Sequence, residues 1–225
     1  MNQNITKAIL PLAALSCVHG KMLEQDAARP NILYIMCDDH AMQAISAYGS
    51  PISKLAPTPN IDRLAQRGML FRNCFVENSL STPSRACLMT GLYSHQNGQR
   101  QLAEGIDTTK TFVPELMQKA GYETGIVGKW HMMCRPKGFD YYYILDGQGK
   151  YYNPNFCTTG NYGKYKQEMG YATTLTTQHA IEFLDHRQKD KPFCLYVHHK
   201  APHRSWFAEP KHIGMYDGVD FPLPK

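Results

Sequence analysis

Several features that would place the chain in a common functional class are absent from its 225 residues. Lysine and arginine are spread along the sequence, so the net charge of +5 forms no basic stripe, and we expect no nucleic-acid partner. The seven cysteines include no C-x-x-C pair, which argues against a zinc site. Repeats, low-complexity segments, a G-x-S-x-G elbow, an S-x-x-K motif and a P-loop are also missing. The 43% of hydrophobic residues nevertheless suffice for a sizeable core.

No hydrophobic run is long enough to span a bilayer, so we expect no transmembrane span. The longest one near the N-terminus, AILPLAALSC at 8–17, is interrupted by Pro11 and follows Lys7. Together with the small residue Gly20, this pattern predicts a secretory signal peptide at 1–20 and an exported, periplasmic or secreted protein. The less favoured alternative is a lipoprotein, because ALSC is a loose lipobox in which Cys17 would carry the lipid.

Apolar runs alternate with helical patterns along the rest of the chain. The runs predict strands at 31–37, 69–76, 123–128 and 192–199, and the spacing predicts helices at 58–68, 83–91, 114–121 and 173–187. This order predicts an α/β fold with a mostly parallel sheet sandwiched by helices. The continuous apolar run at 31–37 is typical of a buried strand, and Cys37 and Cys194 are expected to be buried thiols.

A serine stands at the start of one predicted helix, in the stretch STPSRACLMTG at 81–91. Pro83 fits the first turn and Gly91 fits the far end. Ser81 would then lie just before a helix N-terminus, where free N–H groups favour an anion, and Arg85 would add a positive charge one turn in. Taken alone, the stretch is more typical of a capped helix with an exposed arginine.

Polar residues also follow three of the predicted strands, where parallel sheets bind ligands. Asp38 and Asp39 follow the first strand, Lys129 and His131 follow 123–128, and His203 follows 192–199. Two adjacent carboxylates repel each other, and a hard cation bound between them would remove that repulsion, although such a pair more often caps a turn or a helix. The residues after the other two strands, each taken alone, are more typical of surface or hydrogen-bonded structural side chains. Together with the serine and arginine they indicate a metal-centred anion site.

The stretch at 81–91 resembles the signature of the formylglycine-dependent sulfatases of the alkaline-phosphatase-like superfamily, a Cys or Ser followed by x-P-S-R-x-x-L-x-T-G. Four more segments are similar to sulfatase segments and come in the family's order: RPNILYIMCDD, TPNIDRLAQRGMLF, GYETGIVGKWH and HHKAPHRSW. The resemblance covers nearly everything after residue 20. It implies an alkaline-phosphatase-like fold and the hydrolysis of sulfate esters.

The resemblance implies how the serine would act. Ser81 would be oxidised to formylglycine, whose hydrated aldehyde attacks the sulfur of a sulfate ester. A serine in place of the cysteine implies an anaerobic-type maturing enzyme as a partner. Asp38 and Asp39 would bind a calcium ion together with the modified Ser81, since calcium prefers hard oxygen ligands.

The remaining site roles also follow from the resemblance. Arg85 would stabilise the deprotonated diol, and Lys129 and His131 would contact the diol and the sulfate. His203 matches the family's histidine near the ester oxygen and is a candidate general acid.

The chain departs from the family pattern because it lacks segments that lie in the C-terminal half of family members. Sulfatases are typically about twice as long, and their further metal ligands and a second lysine come after the region corresponding to residue 225. Residues 21–225 are therefore expected to be the N-terminal part of a sulfatase catalytic domain, incomplete at the C-terminus. We expect weak calcium binding, little activity, and an exposed edge that promotes aggregation.

The substrate is expected to be a sulfated glycan. The tyrosine-rich stretch at 141–171 suggests a loop that stacks on sugar rings, with aromatic packing over the core as the alternative. The resemblance favours bacterial carbohydrate sulfatases that act on host glycans, with N-acetylglucosamine-6-sulfate as the preferred type. Two other functions stay open: a phosphodiesterase or phosphonate hydrolase of the same superfamily, and an inactive glycan-binding remnant.

Overall fold

A six-stranded sheet forms the centre of the structure, a computed structural model that describes residues 29–223. Its strands are β1 (Ile32–Cys37), β2 (Glu123–Gly128), β3 (Tyr141–Leu145), β4 (Asn155–Thr158), β5 (Lys166–Gln167) and β6 (Phe193–His199). They lie side by side in the order β1, β6, β2, β3, β4, β5. The first four run parallel, and β4 and β5 extend the sheet in antiparallel pairs. The prediction of a mostly parallel sheet is confirmed.

Across residues 29–223, five α-helices accompany the sheet: α1 (Pro59–Arg67), α2 (Ser81–Thr90), α3 (Ser94–Asn97), α4 (Val113–Lys119) and α5 (Ala172–His186). Successive strand residues pack on opposite faces. On one face, Phe183 of α5 joins Val127 and Leu195 in a core cluster. On the other face, Met89 of α2 joins Ile126 in a larger cluster. Helices therefore cover both faces of the inner strands, as predicted.

The predicted strand at 69–76 is wrong. This segment is irregular, and its apolar side chains lie in the open, with Phe75 87% exposed and Met69 75% exposed. An apolar run forms a strand only where a neighbouring strand satisfies its backbone groups, and this run has no pairing partner among residues 29–223.

The predicted burial of β1 is also wrong. Cys37 is exposed, whereas Cys194 is buried as expected. The reason is position, because β1 lies at the edge of the sheet and β6 lies between two neighbours. The apolar composition of β1 matches that of an inner strand, but the described residues do not cover it.

The tyrosine-rich stretch is not a single loop, since it contains the three strands β3, β4 and β5 joined by irregular segments. Tyr142 and Tyr151 are almost fully buried, which favours aromatic packing for these two. The predicted signal peptide and the alternative lipid site at Cys17 lie outside the described residues. Within 29–223, no helix has the length and apolar character needed to cross a membrane.

Candidate active site

The polar residues that follow the strands meet at the carboxyl ends of the parallel strands. The end of β6 lies level with the ends of β1 and β2, where His199 faces Cys37 and His198 faces Gly128. The N–H of Lys129 donates to the carbonyl of His198 at 2.7 Å. Gly128 permits this approach, because its φ is +90° and a Cβ there would lie 2.1 Å from the same carbonyl oxygen.

Ser81 is the first residue of α2, and Leu80 is the N-cap. The helix therefore begins two residues before the predicted range of 83–91, and Ser81 lies inside its first turn. Arg85 lies one turn further on, and its Nε donates to the Ser81 hydroxyl at 3.2 Å. Arg85 is 2% exposed, so the alternative of a capped helix with an exposed arginine is wrong. A buried guanidinium held against a serine at a helix N-terminus indicates an anion site.

Arg85 connects the three strand ends. One terminal nitrogen donates to the Lys129 carbonyl at 2.8 Å and lies 3.1 Å from Nδ1 of His198, while the other lies 3.4 Å from an Asp38 carboxylate oxygen. Burial lowers the pKa of Arg85 to about 10, against the opposing effect of Asp38. The side chain therefore carries its charge at neutral pH in a site largely closed to water.

Lys129 lies at the centre of the same network and is fully buried. Its ammonium donates to the carboxylate of Asp38 and to the side-chain oxygen of Gln148. Burial lowers the pKa of Lys129 to about 8, although the hydrogen bond to Asp38 opposes this change. The carboxylate of Asp38 thus forms ion pairs with both Lys129 and Arg85.

His131 faces the serine. Its Nδ1 lies 3.3 Å from the hydroxyl of Ser81 and 3.3 Å from that of Thr82. Burial, with the charges of Lys129 and Arg85, lowers the pKa of His131 to about 4, so the ring is neutral at pH 7 and, in the tautomer with the proton on Nε2, Nδ1 can accept a hydrogen bond from either hydroxyl. The backbone φ of +46° at His131 is rare for a non-glycine residue, and such strain is often found at functional sites.

His203 approaches from the loop that follows β6. Its Nε2 lies 3.7 Å from a carboxylate oxygen of Asp39, and its Nδ1 donates to the carbonyl of Arg204 at 2.6 Å. With Nδ1 engaged by a carbonyl, Nε2 is the nitrogen that is free to exchange a proton. Asp39 is also strained, with φ of +57°. A cavity of about 450 Å³ lies beside both carboxylates and opens onto Ser81 and Arg85.

Every residue predicted for the site therefore lies near the carboxyl ends of the parallel strands. Three further residues belong to the neighbourhood and were missed: Gln148, His198 and Lys200. Gln148 follows β3 and reaches the site through the path of a turn, which no motif in the sequence announces. Lys200 is 6% exposed, with its ammonium 5.0 Å from the ring centre of Tyr151. Its place directly after β6 is the one signal that could have found it.

The oxygen donors suit a calcium ion in kind but are few in number. Asp38, Asp39 and the hydroxyl of Ser81 are hard ligands, whereas Ca²⁺ takes six to eight oxygens. Within residues 29–223 no set of three or more His, Cys, Asp or Glu side chains is arranged to hold a metal. These three residues therefore supply part of a coordination shell.

Comparison with known proteins agrees with this arrangement. The sulfatase family model matches residues 30–224. The N-acetylglucosamine-6-O-sulfatase of Bacteroides thetaiotaomicron is 45% identical over 230 aligned positions, covering 100% of this chain and 40% of that protein. The human N-acetylgalactosamine-6-sulfatase is 31% identical over 220 positions, covering 82% of this chain and 42% of that protein.

Solved structures share the fold. One protein, in complex with its substrate D-glucosamine-2-N,6-O-disulfate, superposes with a TM-score of 0.82 at 47% identity, covering 87% of this chain and 39% of that one. Another, in complex with a neocarrahexaose, has a TM-score of 0.74 at 30% identity and covers 86% of this chain and 49% of that one. The chain thus spans about 40% of the length of the curated relatives it matches. The family-model match and the identity to these relatives establish that the chain belongs to the sulfatase family.

Proposed function

We propose that the chain forms the N-terminal part of the catalytic domain of a sulfatase that hydrolyses sulfate esters of carbohydrates. The observation that carries this proposal is the position of Ser81, which lies between Arg85 and His131 at a helix N-terminus. A sulfate ester is an anion, and buried cations with free N–H groups suit its oxygens.

The favoured substrate is N-acetylglucosamine-6-sulfate within a host glycan. Support comes from the 45% identical relative, which is an N-acetylglucosamine-6-O-sulfatase, and from the superposed structure whose substrate is a 6-O-sulfated glucosamine. A periplasmic or secreted location suits the degradation of such glycans, and the predicted signal peptide supports it.

We propose that Ser81 is converted to formylglycine by an anaerobic-type sulfatase-maturing enzyme. The conversion removes two hydrogens from the side chain and needs an oxidant, which the maturing enzyme supplies. When formed, the hydrated aldehyde would supply a diol as the nucleophile for the sulfur of the ester, whose S–O bond to the sugar would break as the new bond forms. The contacts of Ser81 with Arg85 and His131 support this position for the attacking oxygen.

The neighbouring side chains divide the remaining work. Arg85 and Lys129 hold positive charge where the sulfate oxygens become more negative during the reaction. His131, neutral at pH 7, accepts a hydrogen bond from the hydroxyl it faces and orients that oxygen. His203 donates a proton to the departing sugar oxygen through Nε2 from its protonated imidazolium form, in which Nδ1 keeps its own proton on the Arg204 carbonyl, and the ring is left neutral.

Asp38, Asp39 and the modified Ser81 would hold a calcium ion, which would add positive charge beside the sulfate. These oxygens are of the type that calcium prefers, but they are fewer than the six to eight that it takes, so we expect weak calcium binding by this chain.

The first test is mass spectrometry of the tryptic peptide Asn73–Arg85, NCFVENSLSTPSR, from chain produced anaerobically with a maturing enzyme. We expect the peptide to be lighter by two hydrogens, with the change located at Ser81. Ser79 and Ser84 lie in the same peptide and serve as internal controls. An unmodified peptide, in cells where a known serine-type sulfatase is converted, would contradict the catalytic proposal.

The second test measures sulfate release from N-acetylglucosamine-6-sulfate and compares it with the matched phosphate ester. We expect slow release of sulfate, lost in Ser81→Ala, and slower reaction with the phosphate. A preference for phosphate would favour the phosphodiesterase alternative. The small set of oxygen donors favours a second candidate, a glycan-binding remnant. Binding of a sulfated oligosaccharide without release, unchanged in Ser81→Ala, would support that candidate.

A further inference from the structure

Three tyrosine hydroxyls donate to the backbone of the loop that carries His203. We call residues 200–209 the histidine loop. Tyr151 donates to the carbonyl of His203, Tyr152 donates to the carbonyl of Ala208, and Tyr171 donates to the carbonyl of Phe207, at 2.8 Å in the last case. All three come from the tyrosine-rich stretch that the sequence suggested for sugar stacking.

The fold assembles these tyrosines into one block. Tyr152 and Tyr171 form an antiparallel bridge, and the N–H of Ala172 at the start of α5 donates to the carbonyl of Tyr151 at 2.7 Å. The ring of Tyr171 stacks on Tyr151, with centres 5.9 Å apart, and meets Tyr152 edge-on at 5.5 Å. Contacts outside the histidine loop therefore hold the three hydroxyls in place relative to the sheet.

The histidine loop itself offers few contacts that would hold its shape. Trp206 is 73% exposed and Phe207 is 57% exposed, so little apolar packing anchors it. Around His203 its internal bonds are two turn contacts, from the His203 N–H to the Lys200 carbonyl at 3.1 Å and from the Trp206 N–H to the His203 carbonyl at 3.2 Å, and the bond from Nδ1 of His203 to the next carbonyl. Besides the tyrosines, the Asp38 N–H donates to the Ala201 carbonyl at 3.2 Å and the Thr174 hydroxyl donates to the Glu209 carboxylate at 2.9 Å. Tyr151 touches both ends of the first turn, because its hydroxyl reaches His203 and its ring lies 5.0 Å from the Lys200 ammonium.

We infer that Tyr151, Tyr152 and Tyr171 are positioning residues that hold His203 against Asp39. This inference rests on the proposed role of His203 as the general acid. Proton transfer needs the donor within hydrogen-bond reach of the departing oxygen, and small displacements of a catalytic group cost rate steeply. Tyr151 thus acts through the backbone of His203, and Tyr152 and Tyr171 act through the backbone of Ala208 and Phe207 in the same loop.

The first test measures the order of the histidine loop. Trypsin cleaves after Arg204, which is exposed, but only when the loop opens. We expect each of Tyr151→Phe, Tyr152→Phe and Tyr171→Phe to speed native-state cleavage about three- to tenfold, the effect of one lost hydrogen bond, and the triple variant to speed it more.

The matched control is Tyr48→Phe, because the Tyr48 hydroxyl also donates to a backbone carbonyl, that of Phe71, at 3.0 Å. It should leave cleavage after Arg204 unchanged. Unchanged cleavage in the triple tyrosine variant would overturn the inference. This measurement needs no sulfatase activity, so it decides the order of the loop whether or not Ser81 is matured.

The second test separates positioning of an acid from general loosening. Matured chain is assayed with N-acetylglucosamine-6-sulfate, whose leaving sugar hydroxyl needs a proton, and with 4-nitrophenyl sulfate, whose leaving phenolate does not. We expect the triple variant to lower kcat on the sugar sulfate about tenfold, with little change on the aryl sulfate, as a smaller version of His203→Ala.

The outcomes distinguish the two proposals. Equal losses on both substrates in the triple variant would overturn positioning through His203. If His203→Ala does not discriminate between the substrates, the proposed acid role fails, whatever the trypsin result. If His203→Ala discriminates and the triple variant does not, the inference fails and the acid role stands.

Discussion

β1 and β6 are adjacent parallel strands of similar apolar composition, yet they lie in opposite environments. Leu33 pairs in register with Leu195, and Ile35 pairs with Val197. The two residues of β1 are 48% and 52% exposed, whereas their partners on β6 are 0% and 5% exposed. Local sequence therefore selects the strand in both cases and does not set its burial.

The difference comes from the neighbouring elements. β6 lies between β1 and β2, and Phe183 of α5 packs with its side chains on one face. β1 has a single strand neighbour among residues 29–223. An apolar run such as that of β1 is typical of a strand covered on both faces, and the described part of the chain does not provide that cover.

The largest expected effect is on stability and uses the paired leucines. Leu195→Ala removes a fully buried side chain, and we expect it to lower the free energy of unfolding by about 3 kcal/mol, because it loses burial and leaves a cavity. Leu33→Ala, at the paired position, should cost less than about 1 kcal/mol, because the side chain is already half in water. Urea denaturation of both variants measures the difference.

A similar cost for the two variants would break the comparison between the strands. It would mean that β1 is covered in solution, for example by a second copy of the chain. Repeating the denaturation over a range of protein concentrations distinguishes this case, since stability gained by association depends on concentration.

The second effect is on thiol accessibility and uses the cysteines of the same two strands. Cys37 is exposed and Cys194 is 1% exposed. Native protein treated with N-ethylmaleimide should label Cys37 at least about tenfold faster than Cys194, because the inner strand must open first. Peptide mapping after timed quenching gives both rates in one sample. Equal rates would show that β6 opens as readily as the edge strand.

The same contrast explains which parts of the fold were predictable. The strand at 123–128 was predicted to the residue, and 192–199 differs from β6 by one residue, because both carry β-branched or aromatic residues and are bounded by turn residues. The segment 69–76 carries a comparable run and forms no strand. Strand formation there depends on a partner, and no local pattern encodes where partners lie.

The site was predictable for a different reason. Asp38, Lys129 and His203 all follow parallel strands, and topology brings the carboxyl ends of such strands together. Residues that reach the site along irregular paths were missed, as with Gln148. The tyrosine hydroxyls that bind the histidine loop were missed as well, because their meeting depends on the path of two loops.

The smallest effect on stability, and the most direct test of the edge, comes from a charge on β1. Leu33→Lys should change the free energy of unfolding by less than about 0.5 kcal/mol, because the position is exposed. It should reduce self-association measured by sedimentation velocity, since a lysine on a strand with one open edge opposes edge-to-edge pairing. The matched control is Leu64→Lys on α1, where the leucine is 66% exposed on a helix. A reduction confined to Leu33→Lys would assign association to the open edge of β1, whereas equal reductions would assign it to exposed apolar area in general.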